Sequence, residues 1–209
     1  MKKYTYYLFD FDGTLVDSIC SSEYVFMEAY RLIGIEIKKE DVLGYTREPI
    51  PVSYKRLGAP QEKWDYFGEN ILRLVNSQKS VDLVDIYDDT YDTIADLRMD
   101  EAILGVVTSN NVPHVKDILR KFGMEKLFFS VFVGNFEAPV PKPDPMPINK
   151  ALEMLKYQGD RSDVVYVGDS LNDVKAAHAA HVDAILLDRD NEYPDSDEYV
   201  RIKSLKDLL

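Results

Sequence analysis

Cysteine is nearly absent from the 209-residue sequence, in which Cys20 is the only thiol. A single cysteine cannot form an intramolecular disulfide, so we expect a reducing compartment and predict a cytoplasmic protein. No histidine lies near Cys20 in the sequence. We therefore predict that Cys20 is a buried apolar residue and not a nucleophile.

Long apolar runs and an excess of positive charge are also lacking. The apolar run that follows Lys2 and Lys3 ends at Asp10, and no stretch is long enough to span a bilayer. Lysine and arginine number 25 against 37 acidic residues, which gives a net charge of -12. This balance argues against nucleic acid and against an anionic membrane as partners. We expect a small-molecule substrate, and a monomer or a homodimer.

Two aspartates, Asp10 and Asp12, end the first apolar run and are followed by Gly13. Residues i and i+2 of a strand lie on the same face, so the two carboxylates can point the same way. Like charges that close raise a pKa or need a cation between them. The pair indicates a nucleophile beside an acid/base group, a Mg²⁺ ligand, or both. The alternative is a hairpin turn at Asp12-Gly13.

Hydrophobic periodicity divides the chain. Helical spacing continues from residue 17 to residue 84, whereas short apolar runs alternate with helices after residue 89. We predict an α/β fold with a Rossmann-like three-layer core and a parallel sheet, built from residues 1–16 and 85–209. Residues 17–84 are predicted to form a small α-helical cap inserted after the first strand, and residues 188–198 a solvated loop. The predicted strands are 4–9, 102–107, 128–133, 164–167 and 184–187, and the longer predicted helices are 19–33, 64–75, 89–97, 112–122, 145–157 and 171–180.

Polar side chains follow three of these strands. Asp10 and Asp12 follow the first, Thr108 and Ser109 follow the second, and Asp169 comes soon after the strand that begins at residue 164. In an open α/β sheet, ligands bind outside the carboxyl ends of the strands. We therefore expect these segments to converge on one site.

The segment from Leu8 to Ser18 resembles the first motif of the haloacid dehalogenase-like superfamily. Thr108 is similar to the second motif, and Lys142, within residues 140–145, is similar to the third. Asp169 and Asp173 resemble the fourth motif. The four motifs stand in the family's order and cover the whole predicted core.

This resemblance implies a role for each motif residue. Asp10 would attack phosphorus and carry the phosphoryl group, and Asp12 would act as general acid and then as general base. The Thr108 hydroxyl and the backbone N–H of Ser109 would hold phosphate oxygens. Lys142 would neutralise the negative charge that develops during the reaction.

A Mg²⁺ cofactor is also implied by the resemblance. Its ligands would be Asp10, the backbone carbonyl of Asp12, and Asp169, because this hard cation prefers oxygen donors. Asp173 would orient Lys142 or a metal-bound water. A net charge of -12 makes a local cation essential for a protein that handles phosphate.

The branch of the superfamily is indicated by Asp12, because the dehalogenases and the phosphonate-cleaving members have no aspartate at this position. The predicted cap position resembles that of phosphoglycolate phosphatases and β-phosphoglucomutases. The mutases carry a histidine in the first cap helix, where this chain has the segment 21–24, Ser-Ser-Glu-Tyr. The segment 87–89, Tyr-Asp-Asp, replaces a proline-glycine pair that is usual in relatives, and we expect this change to affect only the linker.

We therefore expect a Mg²⁺-dependent phosphatase that hydrolyses a small phosphorylated metabolite, such as a phosphoglycolate-like phosphomonoester. The alternatives are a phosphomutase, a pyrophosphatase or nucleotidase, and a catalytically silent binding module, against which the Asp10/Asp12 pair argues. Arg47, in the cap, is a candidate for binding a second anionic group of the substrate, because arginine binds carboxylate or phosphate with a planar fork. A surface arginine with no such role is the alternative.

Overall fold

The computed structural model describes residues 1–46, 50–125 and 128–209. Its main element is a six-stranded parallel sheet. The sheet order is β5-β4-β1-β6-β7-β8, and β2 pairs with β3 in a separate two-stranded sheet. This topology confirms the predicted α/β class. The strands are β1 (Tyr6–Phe9), β2 (Val16–Asp17), β3 (Asp85–Ile86), β4 (Ile103–Val107), β5 (Phe129–Val133), β6 (Val164–Gly168), β7 (Asp183–Leu187) and β8 (Val200–Ile202).

Nine helices of the described chain surround or follow these strands. They are α1 (Ile19–Leu32), α2 (Lys39–Thr46), α3 (Ile50–Arg56), α4 (Trp64–Val75), α5 (Gln78–Asp82), α6 (Thr90–Met99), α7 (Val112–Lys121), α8 (Met146–Met154) and α9 (Leu171–Ala179). Short 3₁₀ turns cover Gln61–Lys63, Arg161–Asp163 and Leu205–Leu208. The described chain divides into two compact units, one formed by Met1–Asp17 with Ile86–Leu209 and the other by Ser18–Asp85. No helix in the described ranges is long and apolar enough to cross a membrane.

The central strand β1 positions the site. Tyr7, Leu8 and Phe9 are at most 2% exposed, and burying each of these side chains contributes about 1.5–3 kcal/mol. In the register, Phe9 pairs with Val106 of β4 on one side and with Val167 of β6 on the other. The carboxyl ends of β4, β1 and β6 therefore lie side by side. The chain places β4 and β5 on one side of β1 and β6 to β8 on the other, and ligands of open α/β sheets bind at such a switch point.

In the unit formed by Met1–Asp17 and Ile86–Leu209, a hydrophobic core lies between the sheet and the helices that pack on it. Buried residues of α8 and α9, including Ile148, Ala151 and Ala177, pack with Leu8 and Leu186 of the strands. Small residues such as Ala151 and Ala177 let these helices approach the sheet closely.

The unit Ser18–Asp85 has an aromatic core of its own. Tyr30, Tyr54 and Phe67 have ring centroids 4.7–6.3 Å apart, and Trp64 packs edge-on against Tyr54 at 4.8 Å. Offset and edge-on aromatic pairs each add about 0.5–1.5 kcal/mol beyond the area they bury. Tyr66, by contrast, is 50% exposed.

One local prediction was wrong, one holds for only part of its segment, and one short helix was not predicted. Cys20 is exposed, because its position on α1 faces away from the buried stripe that contains Val25 and Ala29. Asp188 is only 3% exposed, since its carboxylate accepts hydrogen bonds from the backbone N–H groups of Glu192 and Tyr193. The first residue of the predicted solvated loop 188–198 is therefore buried. Helix α5 was not predicted, because its five residues are too short for a helical period to show.

Candidate active site

Lys142 lies at the centre of a buried ion cluster. Its Nζ is 2.9 Å from Oδ1 of Asp10 and 2.6 Å from Oδ1 of Asp173, and the lysine side chain is only 7% exposed. Asp10 follows β1 directly and donates its backbone N–H to the carbonyl of Val167 in β6, which fixes the start of the loop. Two predicted site residues and the predicted supporting aspartate are thus brought together.

Tyr166 is a third partner of Lys142 that the sequence did not reveal. Its hydroxyl accepts a hydrogen bond from Lys142 Nζ at 2.9 Å and donates one to the carbonyl of Val107 at 2.8 Å. The tyrosine is 1% exposed within β6 and therefore links Lys142 to the end of β4. The only sequence signal was one hydroxyl in an otherwise aliphatic strand.

Helix α9 is built around Asp173. Ser170 and Asp173 form a capping box, in which each residue hydrogen-bonds the backbone N–H of the other. A Cβ at Gly168 would come within 2.4–2.6 Å of the Asp173 side chain, so only glycine fits there. The Asp173 carboxylate has two roles: its Oδ2 accepts the capping hydrogen bond from the Ser170 N–H, and its Oδ1 contacts Lys142.

Asp169 is held by the turn that follows Asp12. Thr14 donates its hydroxyl to Oδ1 of Asp169 at 3.3 Å, and Gly13 packs against the same carboxylate. Gly13 has a φ of +79°, and a Cβ there would lie 2.4 Å from Oδ2 of Asp169. Glycine is required at this position both for the backbone angle and for the space.

Three carboxylates of this site could hold a metal ion. One oxygen from each of Asp10, Asp169 and Asp173 lies within 4.8 Å of the other two. Hard oxygen donors at this spacing suit Mg²⁺. The prediction from sequence placed Asp173 outside the ligand set, whereas one of its oxygens lies within 4.8 Å of oxygens of Asp10 and Asp169.

The charges of the cluster do not balance. Burial raises the pKa of Asp169 to about 6, with a further contribution from the charge of Asp173. Burial also raises the pKa of Asp10 well above its ordinary value, although the Lys142 ammonium opposes this shift. Burial lowers the pKa of Lys142, but Asp10 and Asp173 outweigh it and keep the amine protonated. One ammonium thus faces three carboxylates, and a divalent cation would offset the excess.

Asp12 and Thr108 are linked through the side-chain amide and the backbone of Asn110, a residue that the motifs did not indicate. Asn110 donates its side-chain N–H to Oδ2 of Asp12 at 3.4 Å and its backbone N–H to the Thr108 hydroxyl at 3.0 Å. The Thr108 oxygen acts as acceptor in this bond, so its own hydrogen is available to a ligand. Ser109, the other predicted phosphate contact, is exposed.

Two further residues complete the inventory. Arg47 lies outside the described residues. His114 lies in the first turn of α7 and is only 4% exposed. Burial lowers the pKa of His114, while the charge of Asp12 acts in the opposite direction.

Gly13→Ala should disrupt the site through one contact. The new methyl group would meet the Asp169 carboxylate, so we expect a loss of at least tenfold in phosphate-ester hydrolysis and a lower melting temperature. Gly123→Ala is the matched control, because Gly123 has a similar φ of +73° but open space around its Cβ. The shared backbone strain costs about 1 kcal/mol in each variant. Equal losses in the two variants, measured by thermal unfolding and p-nitrophenyl phosphate turnover, would assign the whole effect to backbone strain.

Known proteins share both this sequence pattern and this fold. Residues 7–187 match the haloacid dehalogenase-like hydrolase family. The chain is 33% identical to pyrophosphatase PpaX of Bacillus velezensis over 181 residues, which are 86% of this chain and 81% of the relative. It is 27% identical to a phosphoglycolate phosphatase of Shigella boydii, over 96% of this chain and 89% of the relative.

Solved structures agree on the fold. A haloacid dehalogenase-like family protein of Streptococcus pneumoniae matches with a TM-score of 0.79 at 16% identity, covering 100% of this chain and 98% of that one. A HAD phosphatase of Thermococcus onnurineus matches with a TM-score of 0.70 at 24% identity, covering 100% and 96%. The resemblance predicted from the four motifs is confirmed. The chain belongs to the haloacid dehalogenase-like hydrolase family.

Proposed function

We propose that the protein is a Mg²⁺-dependent phosphatase that hydrolyses a small phosphomonoester through a phosphoryl group carried on Asp10. The observation that supports it is the contact of Asp10 with the buried ammonium of Lys142, beside the Asp169 carboxylate. This arrangement places a nucleophile, a fixed positive charge and a set of oxygen donors at one end of the sheet.

Asp10 performs the first step. Its free oxygen, the one not paired with Lys142, forms a bond to phosphorus while the bond from phosphorus to the leaving oxygen breaks. Asp12 donates a proton to that leaving oxygen. In the second step Asp12 removes a proton from water, the water oxygen bonds to phosphorus, and the Asp10–phosphorus bond breaks. Inorganic phosphate is released and Asp10 is regenerated.

The remaining residues hold the phosphoryl group and the charges. Thr108 donates its hydroxyl to a phosphate oxygen, and Lys142 stabilises the charge that develops on Asp10 and on phosphate. Mg²⁺, held by carboxylates from the set Asp10, Asp169 and Asp173, reduces the repulsion between the acidic site and the anionic substrate when it is bound.

The substrate class rests on the relatives. A phosphoglycolate-like phosphomonoester agrees with one relative's name and pyrophosphate with another's, so pyrophosphate hydrolysis is the second candidate. Arg47 remains the candidate for binding a second anionic group of the substrate. A phosphomutase is disfavoured because residues 21–24 at the start of α1 contain no histidine.

Phosphate release should identify the substrate. With Mg²⁺ present, we expect phosphoglycolate to be hydrolysed more efficiently than sugar phosphates, nucleoside monophosphates and pyrophosphate, and Asp10→Asn to abolish turnover of all of them. Preference for pyrophosphate would select the second candidate. Return of the phosphoryl group to a sugar, without phosphate release, would select the mutase instead.

Asp12→Ala should separate the two chemical steps. Loss of the general acid slows the first step on an alkyl phosphate by roughly 10²–10⁴-fold. p-Nitrophenolate leaves without that proton, so its first step should survive while hydrolysis of the phosphoenzyme fails. Rapid-quench measurements should show a burst of p-nitrophenolate stoichiometric with the enzyme, followed by slow turnover. Asp10→Asn is the control and should show no burst. Equal losses on both esters without a burst would remove the acid/base role from Asp12.

Mg²⁺ should stabilise the fold more at neutral than at acid pH. The pKa of Asp169 is about 6 in the metal-free fold, above its ordinary 3.8. A raised carboxyl pKa makes a stabilising contribution that is fully present below the ordinary value of 3.8 and is lost as the pH rises through about 6. Mg²⁺ binds the ionised form, so it should recover stability above pH 6.

The measurement is thermal unfolding with and without Mg²⁺ at about pH 7.5 and pH 5. At 100 times the dissociation constant, the cation should add about 2.7 kcal/mol at the higher pH and much less at the lower. Asp169→Asn should remove the difference between the two pH values. An equal shift at both pH values in the wild-type protein would show that the cation does not bind the Asp169 carboxylate.

A further inference from the structure

Arg189 forms a two-pronged ion pair with Asp89. Its two terminal nitrogens donate to the two carboxylate oxygens at 2.8 and 2.9 Å, and the arginine side chain is 20% exposed. Parallel hydrogen bonds of this kind fix the plane of the guanidinium as well as its position. The segment 87–89, the linker departure noted in the sequence, thus contributes a specific ion pair.

Asp89 is itself held from the C-terminal side of the chain. Its Oδ2 also accepts hydrogen bonds from the Ser204 hydroxyl at 2.7 Å and from the Leu205 N–H at 2.8 Å. Burial raises the pKa of Asp89, but the hydrogen bonds from Arg189, Ser204 and Leu205 outweigh it and lower the pKa. The carboxylate is therefore an ionised, immobile anchor for Arg189.

Arg189 also reaches the turn beside the metal-binding carboxylates. One of its terminal nitrogens donates to the backbone carbonyl of Thr14 at 3.1 Å, and the guanidinium stacks on the Tyr87 ring at 3.9 Å. Thr14 in turn donates its hydroxyl to Asp169, and Gly13 packs against the same carboxylate. A continuous set of contacts joins Asp89, Arg189, Thr14 and Asp169.

We propose that Arg189, anchored by Asp89, is a positioning residue that fixes the Gly13–Thr14 turn against the Asp169 carboxylate and so sets the metal affinity of the site. This inference rests on the proposed Mg²⁺ dependence. Arg189 is placed two contacts away from Asp169, so it acts through the turn and not by ligation. Outer-shell partners of metal ligands are typically worth 10–100-fold in metal affinity or activity.

The variant Arg189→Lys tests whether the planar, two-pronged guanidinium is needed at this position. Its single ammonium keeps the charge and can pair with Asp89, but it cannot bond both Asp89 oxygens and the Thr14 carbonyl in one plane. We expect Arg189→Lys to weaken Mg²⁺ binding 10–100-fold, measured by titration calorimetry without substrate. At saturating Mg²⁺, the KM for p-nitrophenyl phosphate should stay within about twofold of wild type, because Arg189 lies behind the turn.

Arg201→Lys is the matched control. The Arg201 side chain is also 20% exposed and pairs with a buried aspartate, Asp188, at 3.2 Å, but its other partners are Asp195, Asn191 and Tyr193. We expect this variant to lower the melting temperature as much as Arg189→Lys does and to leave the Mg²⁺ affinity unchanged. If Arg189→Lys does not fold, Asp89→Asn takes its place, because it removes the charge that anchors the same fork.

Two results would overturn the positioning role while leaving the phosphatase mechanism intact. One is an Arg189→Lys variant with wild-type Mg²⁺ affinity and a lower melting temperature. The other is an equal loss of Mg²⁺ affinity in the Arg201 control, which would mean that general loosening of the fold is responsible. Failure of the wild-type protein to bind Mg²⁺ would refute the proposed metal dependence, and with it the positioning role that depends on it.

Discussion

The structure of the site depends on one buried ammonium. Lys142 has three acceptors, two carboxylates and the Tyr166 hydroxyl, which come from the end of β1, the start of α9 and the interior of β6. A buried charge is tolerated only where it is paired and hydrogen-bonded, and removing one partner of a buried pair costs about 3–5 kcal/mol. Each of these three segments is therefore held in place by the need of Lys142 for partners.

The same cluster is left with surplus negative charge. Asp10 and Asp173 both face Lys142, and Asp169 lies within metal-binding distance of both carboxylates. Such a site favours any species that brings positive charge and disfavours an unaccompanied phosphate. The helix dipole of α9 offsets part of the surplus, since acidic groups at a helix N-terminus are stabilised there by about 0.3–1 kcal/mol each.

Much of this architecture was predictable from the sequence, because it follows from periodicity and from strand ends. The aspartates after β1 mark their own position, because in an α/β sheet a buried apolar run that stops at charged residues indicates the carboxyl end of a strand. The sequence could not predict which hydrogen-bond partner each polar side chain has in the fold. Tyr166 could have packed as a plain aromatic residue, and Arg189, within an acidic segment, matched a solvated loop. Only the tertiary contacts decide that one bonds Lys142 and the other Asp89.

The register of β1 has a consequence for the order of assembly during synthesis. This strand pairs on one side with β4, which begins at residue 103, and on the other with β6, which ends at residue 168. Contacts this distant in sequence form slowly, because a long loop must close before they can be made. The β6 side of β1 therefore stays unpaired in the nascent chain until residues 164–168 have been made, and during this interval its apolar edge is open to aggregation.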